Sequence, residues 1–512
     1  MRGKSLMFMG TGSSVGKSLL CAAVLRILRQ DGLRVAPFKA QNMALNSFAT
    51  KEGLEMGRAQ VTQAEAAGIE PSVCMNPVLL KPTSDRHSQV IVNGVPVGNM
   101  SAAEYARFKP TLRRQIKEIY DRLESSVDAV VIEGAGSPAE INLHDDDITN
   151  MDMAKSADAP VILIGDINPG GVFAALYGTV KLLPEDEQRR IKGIIINKFR
   201  GDEAILEPGL AMLEKLLHIP VLGVIPWMDV DIEDEDSVTE RFARAMGAGE
   251  VKAGIVRLPH ISNFSDFNIL AAQSGATVRY IDRADEVAEQ DILLLPGTKN
   301  TIEDLAWMKQ RGLADAVVRH ARAGGIVLGI CGGYQMLGKT LRDPLHTESA
   351  IPEIEGLGLL DLDVDFCEHK NTVQSRGVVR CESGWLAEAN GLTLEGYEIH
   401  SGQNRLGADC VPFLYLNDRD EPDGVMNGAG NVLGTYLHGL FDGGTFWPVV
   451  VNHVRKQKGL DAAAESGMTI AELRSREFDR LADTVRAHLD MDAVYRILRG
   501  GDVPCGRIGH EN

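Results

Sequence analysis

Met7–Ser18 reads MFMGTGSSVGKS, and the helix-forming run LLCAAVLRILRQDG follows it directly. A short apolar strand that enters a Gly- and Ser-rich turn and then a helix N-terminus is an anion-binding arrangement. The first backbone N–H groups of the helix have no partner inside it and point at the ligand. Gly12 and Gly16 let this backbone wrap phosphates, Lys17 contacts the outer phosphates, and the Ser18 hydroxyl ligates Mg²⁺. The strict GxxxxGK[ST] spacing is not met, because Thr11 stands five before Gly16, with Gly10 and Gly12 on either side. A strand–loop–helix of this kind predicts an α/β domain built on a parallel sheet.

Outward from the loop, short apolar runs alternate with longer helical stretches. Strands are expected at Leu6–Met9, Val35–Phe38, Ala129–Glu133, Val161–Gly165, Ile194–Asn197 and Val221–Ile225. The run VVIEGAGS (Val130–Ser137) delivers one carboxylate into a glycine turn, which suits Glu133 to a metal. The run IIINKFRGD (Ile194–Asp202) places Asn197 at a strand end, where its amide can meet a nucleobase edge. A guanine site asks for Asp three residues later; Arg200 stands there, so ATP is the expected nucleotide.

The whole chain has 512 residues, with 53 Lys plus Arg against 71 Asp plus Glu and a net charge of −18. That length suggests two to four domains, at roughly 100–200 residues each. Hydrophobic residues at 44% and charged residues at 24% exclude disordered, collagen-like and mucin-like classes. The acidic balance argues against nucleic acid or an anionic membrane as partner. Seven scattered cysteines without a CxxC argue against a disulfide framework or zinc site. No run resembles a signal peptide or a spanning helix, so a cytoplasmic location is expected.

Asp229–Glu250 is acidic and bounded by glycine, and reads as a linker. A second αβ series begins at Val251, with strands at Ile255–Leu258, Ile292–Leu295 and Ile326–Ile330 and a more β-like portion over Gly356–His438. The expected domains are 1–228, the linker 229–250, 251–446, and a helical extension over 447–512. Within the second, GGIVLGICGGYQMLG (Gly324–Gly338) is an apolar strand turning sharply at a Cys into a helix. This is a nucleophile elbow, with Cys331 as nucleophile and the Gly332 N–H as an oxyanion donor. The helix N-terminus favours a thiolate. His438 in NVLGTYLHGLF closes a strand-like run far downstream and is the candidate base.

The phosphate loop is similar to that of dethiobiotin-synthetase-like enzymes. GICGGYQMLG, PGTKNT (Pro296–Thr301) and GTYLHGLF together resemble the class I glutamine amidotransferase domain of the CobB/CobQ family, in its cobyric and cobyrinic acid synthase branch. FKAQNMALNSF (Phe38–Phe48), EMGRAQVTQAEAA (Glu55–Ala67), NPVLLKP (Asn76–Pro82), RLPHISNFSDF (Arg257–Phe267) and GYEIHSG (Gly396–Gly402) extend the resemblance to about residue 445.

The resemblance implies that Cys331 attacks the glutamine side-chain amide while the loop at Gly297 contributes to the oxyanion hole. It implies that ATP and Mg²⁺ activate corrinoid carboxylates, four of them (b, d, e, g) on adenosylcobyrinic acid a,c-diamide. Lys39 and Asp146, the latter in the run HDDD (His144–Asp147), are then candidates for substrate contact. Cobyrinic acid a,c-diamide synthase, a peptidoglycan-precursor amidotransferase and a partitioning-type ATPase module are the alternatives. Many class I amidotransferases carry Glu two residues after the catalytic His, but Leu440 stands there. A Cys–His dyad, or an orienting group from elsewhere, is therefore expected, with Glu398 and Asp442 as possibilities.

Overall fold

The computed structural model describes residues 4–84, 86–142, 147–230, 232, 242, 245–416, 422–464 and 468–506. They form two compact units. One comprises Met1–Ala44, Met56–Glu235 and Arg474–Asn512, and the other Leu45–Glu55 and Asp236–Leu473. Most of the linker Asp229–Glu250 lies outside the described residues.

The first unit is organised by six parallel strands. Their order is Val221–Pro226, Ile191–Phe199, Val161–Asp166, Lys4–Gly10, Ala129–Glu133 and Val35–Phe38. The near-continuous apolar sequence of these strands is the signature of a sheet covered on both faces. Lys4–Gly10 is central, and the chain fills the sheet first to one side of it and then to the other. The loop after Gly10 therefore opens at the point where strand order reverses, which is where open α/β sheets bind ligands. Helix Lys17–Gln30 buries Leu20, Val24, Ile27 and Leu28 against the sheet.

The last part of the chain completes this core. The amphipathic pattern expected after Trp447 forms helices Phe446–Gln457, Ile470–His488 and Met491–Leu498. Phe478, Leu481, Val485, Val494, Ile497 and Leu498 pack in one cluster with Leu6, Phe8, Leu20 and Ile27. Arg26 reaches Asp479 at 2.8 Å and Arg486 reaches Asp31 at 2.9 Å. From Arg474 onward the extension is thus a structural part of the nucleotide unit, held by buried apolar area and by ion pairs at its rim, whereas Phe446–Gln457 packs in the core of the second unit.

The second unit carries parallel strands in the order Ala276–Ile281, Val251–Val256, Ile292–Leu295, Ile326–Ile330 and Val432–Thr435. Beyond these the sheet becomes largely antiparallel and includes the long hairpin of Leu362–Val379 with Thr393–Leu406. Leu45–Glu55, expected within the first domain, belongs here. Phe48 packs edge-on against Tyr397 with ring centroids 5.0 Å apart, Asn263 Oδ1 accepts from Ser47 N at 3.2 Å, and Lys370 pairs with Glu55 at 2.5 Å. Among the described residues no helix is long and apolar enough to cross a membrane. None of the seven cysteines is in a disulfide.

Candidate functional site

In the first unit the turn after Gly10 enters its helix through Gly16, whose φ of 92° is left-handed. A Cβ there would also lie 2.2 Å from Asn197 Nδ2, so the position demands glycine on two grounds. Lys17 Nζ lies across the turn, donating to Gly12 O at 2.8 Å and Gly136 O at 3.2 Å.

Glu133 is the hub of this site. Its strand pairs with the loop strand in parallel, Phe8 opposite Glu133, which sets the carboxylate beside the turn. Ser18 Oγ and Lys39 Nζ each donate to Glu133 Oε1 at 2.8 Å, and Gln63 Nε2 donates to Oε2 at 2.5 Å. The Glu133 side chain is fully buried. Ser18 Oγ and Glu133 Oε1 are adjacent hard oxygen donors, the kind of set Mg²⁺ takes when phosphates and waters complete its octahedron. Among the described residues no group of three or more His, Cys, Asp or Glu is placed to hold a metal.

Gln63 has no counterpart in the sequence reading. The signal was there: helix Arg58–Ala67 buries Arg58, Gln60, Thr62 and Gln63, and polar residues are seldom buried without partners. Asn197 Nδ2 donates to Val15 O at 2.8 Å, a contact to the loop itself. Asp146 lies outside the described residues. Its neighbour Asp147 caps the following turn, its carboxylate accepting from the backbone N–H of Thr149, Asn150 and Asp152.

In the second unit three adjacent parallel strands end together. Pro296–Thr301 follows Ile292–Leu295, Cys331 follows Ile326–Ile330, and His438 comes three residues past Val432–Thr435. Register Ile330 to Thr435, with Cys331 N donating to Thr435 O at 2.9 Å, brings together side chains 107 positions apart in sequence. Cys331 sits at φ 51°, ψ −109°, a strained elbow conformation of the kind that presents a nucleophile. The turn is packed so tightly that a Cβ on Gly333 would lie 2.1 Å from Leu295 O. A Cβ on Gly332 would lie 3.0 Å from Thr298 N, and one on Gly297 3.1 Å from His438 Cε1. The two oxyanion candidates therefore flank the Cys–His pair.

The orienting group is Asp266, which corrects the expectation of a dyad or of Glu398 or Asp442. Its Oδ2 lies 2.7 Å from His438 Nδ1, and its Oδ1 accepts from Gly439 N at 3.1 Å. Glu398 is engaged elsewhere, accepting from Ser375 Oγ at 2.5 Å and Asn371 Nδ2 at 3.0 Å. The Tyr397 ring stacks on His438 at 5.1 Å. Burial disfavours charge on His438, yet the Asp266 carboxylate and the Cys331 sulfur outweigh it and raise the imidazole pKa to about 10. His260 Nδ1 meets Asp304 Oδ1 at 2.7 Å, while the His260 carbonyl accepts from Thr298 Oγ1 and Lys299 N, bracing the Gly297 loop.

Asp266→Asn is expected to lower glutaminase kcat roughly 10²–10⁴-fold with little change in KM, because the imidazole loses its orientation and its counter-charge. The folded His438 pKa of about 10 lies above the ordinary 6.5, so the bound proton adds stability that is complete below pH 6.5 and is lost as the pH rises toward 10. The wild-type advantage over Asp266→Asn in unfolding midpoint should shrink across that same window. An unmoved kcat, or an advantage that grows with pH, rejects the assignment.

Comparison with known proteins assigns a family to each of the two domains. The CobQ/CobB/MinD/ParA nucleotide binding domain family matches residues 6–237, and the CobB/CobQ-like glutamine amidotransferase domain family matches residues 252–446. Fold and sites together define a glutamine amidotransferase domain joined to a nucleotide-binding domain. Curated cobyric acid synthases are similar over nearly the full length. That of Alkaliphilus metalliredigens is 53% identical, covering 96% of this chain and 100% of its own. That of Thermoanaerobacter sp. is 51% identical over 96% and 98%, and that of Salmonella arizonae 51% over 98% and 99%. The chain belongs to the cobyric acid synthase family.

Proposed function

We propose that the protein amidates the b, d, e and g carboxylates of adenosylcobyrinic acid a,c-diamide, using ATP and glutamine-derived ammonia. The observation that carries this reading is the presence, on one chain, of a buried Cys331–His438–Asp266 triad and a phosphate loop with Glu133 at its side. The full-length similarity to cobyric acid synthases supports the choice of acceptor.

At the glutaminase site the Cys331 thiolate attacks the glutamine amide carbon. Backbone N–H groups at Gly332 and around Gly297 receive the developing oxyanion. His438, held by Asp266, delivers its proton to the departing nitrogen, leaving a γ-glutamyl thioester and ammonia. Water, deprotonated by His438, then releases glutamate.

At the nucleotide site Gly12 and Gly16 leave room for phosphates along the turn, and Lys17 moves from its backbone carbonyls to the outer phosphates. Ser18 and Glu133 are the residues that would hold Mg²⁺, which would supply neutralisation of the phosphate charge. A corrinoid carboxylate attacks the γ-phosphorus and ADP leaves. The resulting acyl phosphate is displaced by ammonia, giving amide and phosphate. This activation is required because a free carboxylate is a very poor acyl donor at neutral pH. Lys39, withdrawn from Glu133, neutralises charge on the carboxylate or γ-phosphate. Asp146 contacts the corrinoid, and Asn197 faces the adenine in addition to bracing the loop. A partitioning-type ATPase module would leave the buried triad without a use.

The test is mass spectrometry of adenosylcobyrinic acid a,c-diamide after incubation with enzyme, ATP, Mg²⁺ and glutamine. Four successive amidations are expected. An unchanged corrinoid beside continuing glutamine hydrolysis would reject the acceptor while leaving the glutaminase chemistry standing.

A further inference from the structure

Two oppositely charged groups, Lys299 and Glu348, stand on the loops beside the Cys331 elbow, neither of them in a salt bridge among the described residues. Lys299 lies two residues after Gly297, on the loop braced by His260. Glu348 follows the turn around Asp343, whose carboxylate accepts from the backbone N–H groups of Thr347, Glu348 and Ser349. The Glu348 carboxylate faces the backbone N–H of Thr301, yet its Oε2 is buried with no hydrogen-bond partner. The Thr301 hydroxyl in turn donates to Gln335 Oε1 at 3.0 Å and lies 3.2 Å from where a Cβ on Gly332 would be, beside the nucleophile.

Lys299 feels the charges of Glu348, of the ion-paired Lys370 and Glu55, and of Cys331. No salt bridge within 4.0 Å joins Lys299 to Glu348. Burial pushes the Lys299 ammonium toward its neutral form, and burial likewise pushes the Glu348 carboxyl up toward its neutral form. Desolvated charges left apart in this way are costly unless a ligand completes them. Free glutamine brings what each lacks, since its α-carbon carries one ammonium and one carboxylate at fixed separation.

Resting on the glutaminase reading above, we propose that Lys299 receives the α-carboxylate of the substrate glutamine and Glu348 its α-ammonium. The Lys370–Glu55 ion pair lies within electrostatic reach of Lys299 and adds no net charge there. The side-chain amide of glutamine is thereby directed to Cys331, and amides without the amino acid head are refused.

The test compares hydrolysis of glutamine with that of 4-carbamoylbutanoate, which lacks the ammonium, and of 4-aminobutanamide, which lacks the carboxylate. Wild type should prefer glutamine to each by on the order of 10²-fold or more in kcat/KM, because an unfilled buried polar site rejects the truncated ligand. Lys299→Gln should raise the glutamine KM and erase the preference over 4-aminobutanamide while keeping that over 4-carbamoylbutanoate. Glu348→Gln should do the reverse, and Lys299→Arg should restore the carboxylate preference. Lower activity with both ratios unmoved, or an unchanged KM, would overturn the assignment alone. A wild type that hydrolyses none of the three removes this assignment together with the reading beneath it.

Discussion

Cys331→Ala is expected to stop glutamine-driven amidation, with a loss on the order of 10⁴–10⁶-fold, while ammonium continues to support product formation. The thioester has no other source: the triad geometry offers one sulfur at the elbow, and His438 and Asp266 have no nucleophile to serve without it. The nitrogen is nevertheless expected to enter as free ammonia, because the proposed activation of the acceptor uses Lys17, Ser18 and Glu133 in the other unit. Alanine keeps a Cβ at a position already tolerating φ 51°, so the fold is expected to persist. Product quantified with glutamine and with ammonium decides the matter. Glutamine-driven amidation by the variant would place the nucleophile elsewhere, and loss with ammonium as well would show that the residue serves the fold.

Glu133→Gln is expected to lower ATP-dependent amidation by about 10³-fold with either nitrogen source, and to leave glutamine hydrolysis measurable. The carboxylate is fully buried and accepts from Ser18, Lys39 and Gln63 at once. The amide is expected to weaken the proposed metal site, and it strands the Lys39 ammonium, itself only 4% exposed. Breaking one side of a buried pair costs about 3–5 kcal/mol, so a lower unfolding midpoint accompanies the loss. The discriminating measurement is the rise in unfolding midpoint on adding ATP and Mg²⁺, which wild type should show and the variant should lack. A variant still stabilised by ATP and Mg²⁺ would remove Glu133 from the metal site.

Much of this architecture was legible because it is written in local pattern. Apolar runs such as Val35–Phe38, Ala129–Glu133 and Ile326–Ile330 became the strands expected of them, and the tight glycines around Cys331 announced the elbow. The Val251 strand ran earlier than expected, to Val256, since it pairs with Ala276–Ile281 over its whole length. Asp266 was hidden for a physical reason: it lies 172 residues from His438, in a 3₁₀ segment whose short turns leave no period to read. Only the fold brings that carboxylate to the imidazole. Likewise the stripe on Ile470–His488 announced an amphipathic helix but not which core it would cover. The transfer of Leu45–Glu55 to the second unit rests on the contact of Phe48 with Tyr397, a pairing nearly 350 positions long.

The return of the C-terminal helices has a consequence for biosynthesis. Phe8 and Phe478 share one core, yet 470 positions separate them on the chain. At roughly 5–20 residues per second, a ribosome needs about half a minute to a minute and a half to make the second after the first. During that interval the sheet around Lys4–Gly10 waits with an apolar face uncovered, while the stretch 236–473 emerges entire. The nucleotide unit is therefore the last to close although it is the first to be made, and a chain that stops at residue 446 never closes it. Chaperone demand and sensitivity to premature termination concentrate in the half of the molecule that binds ATP.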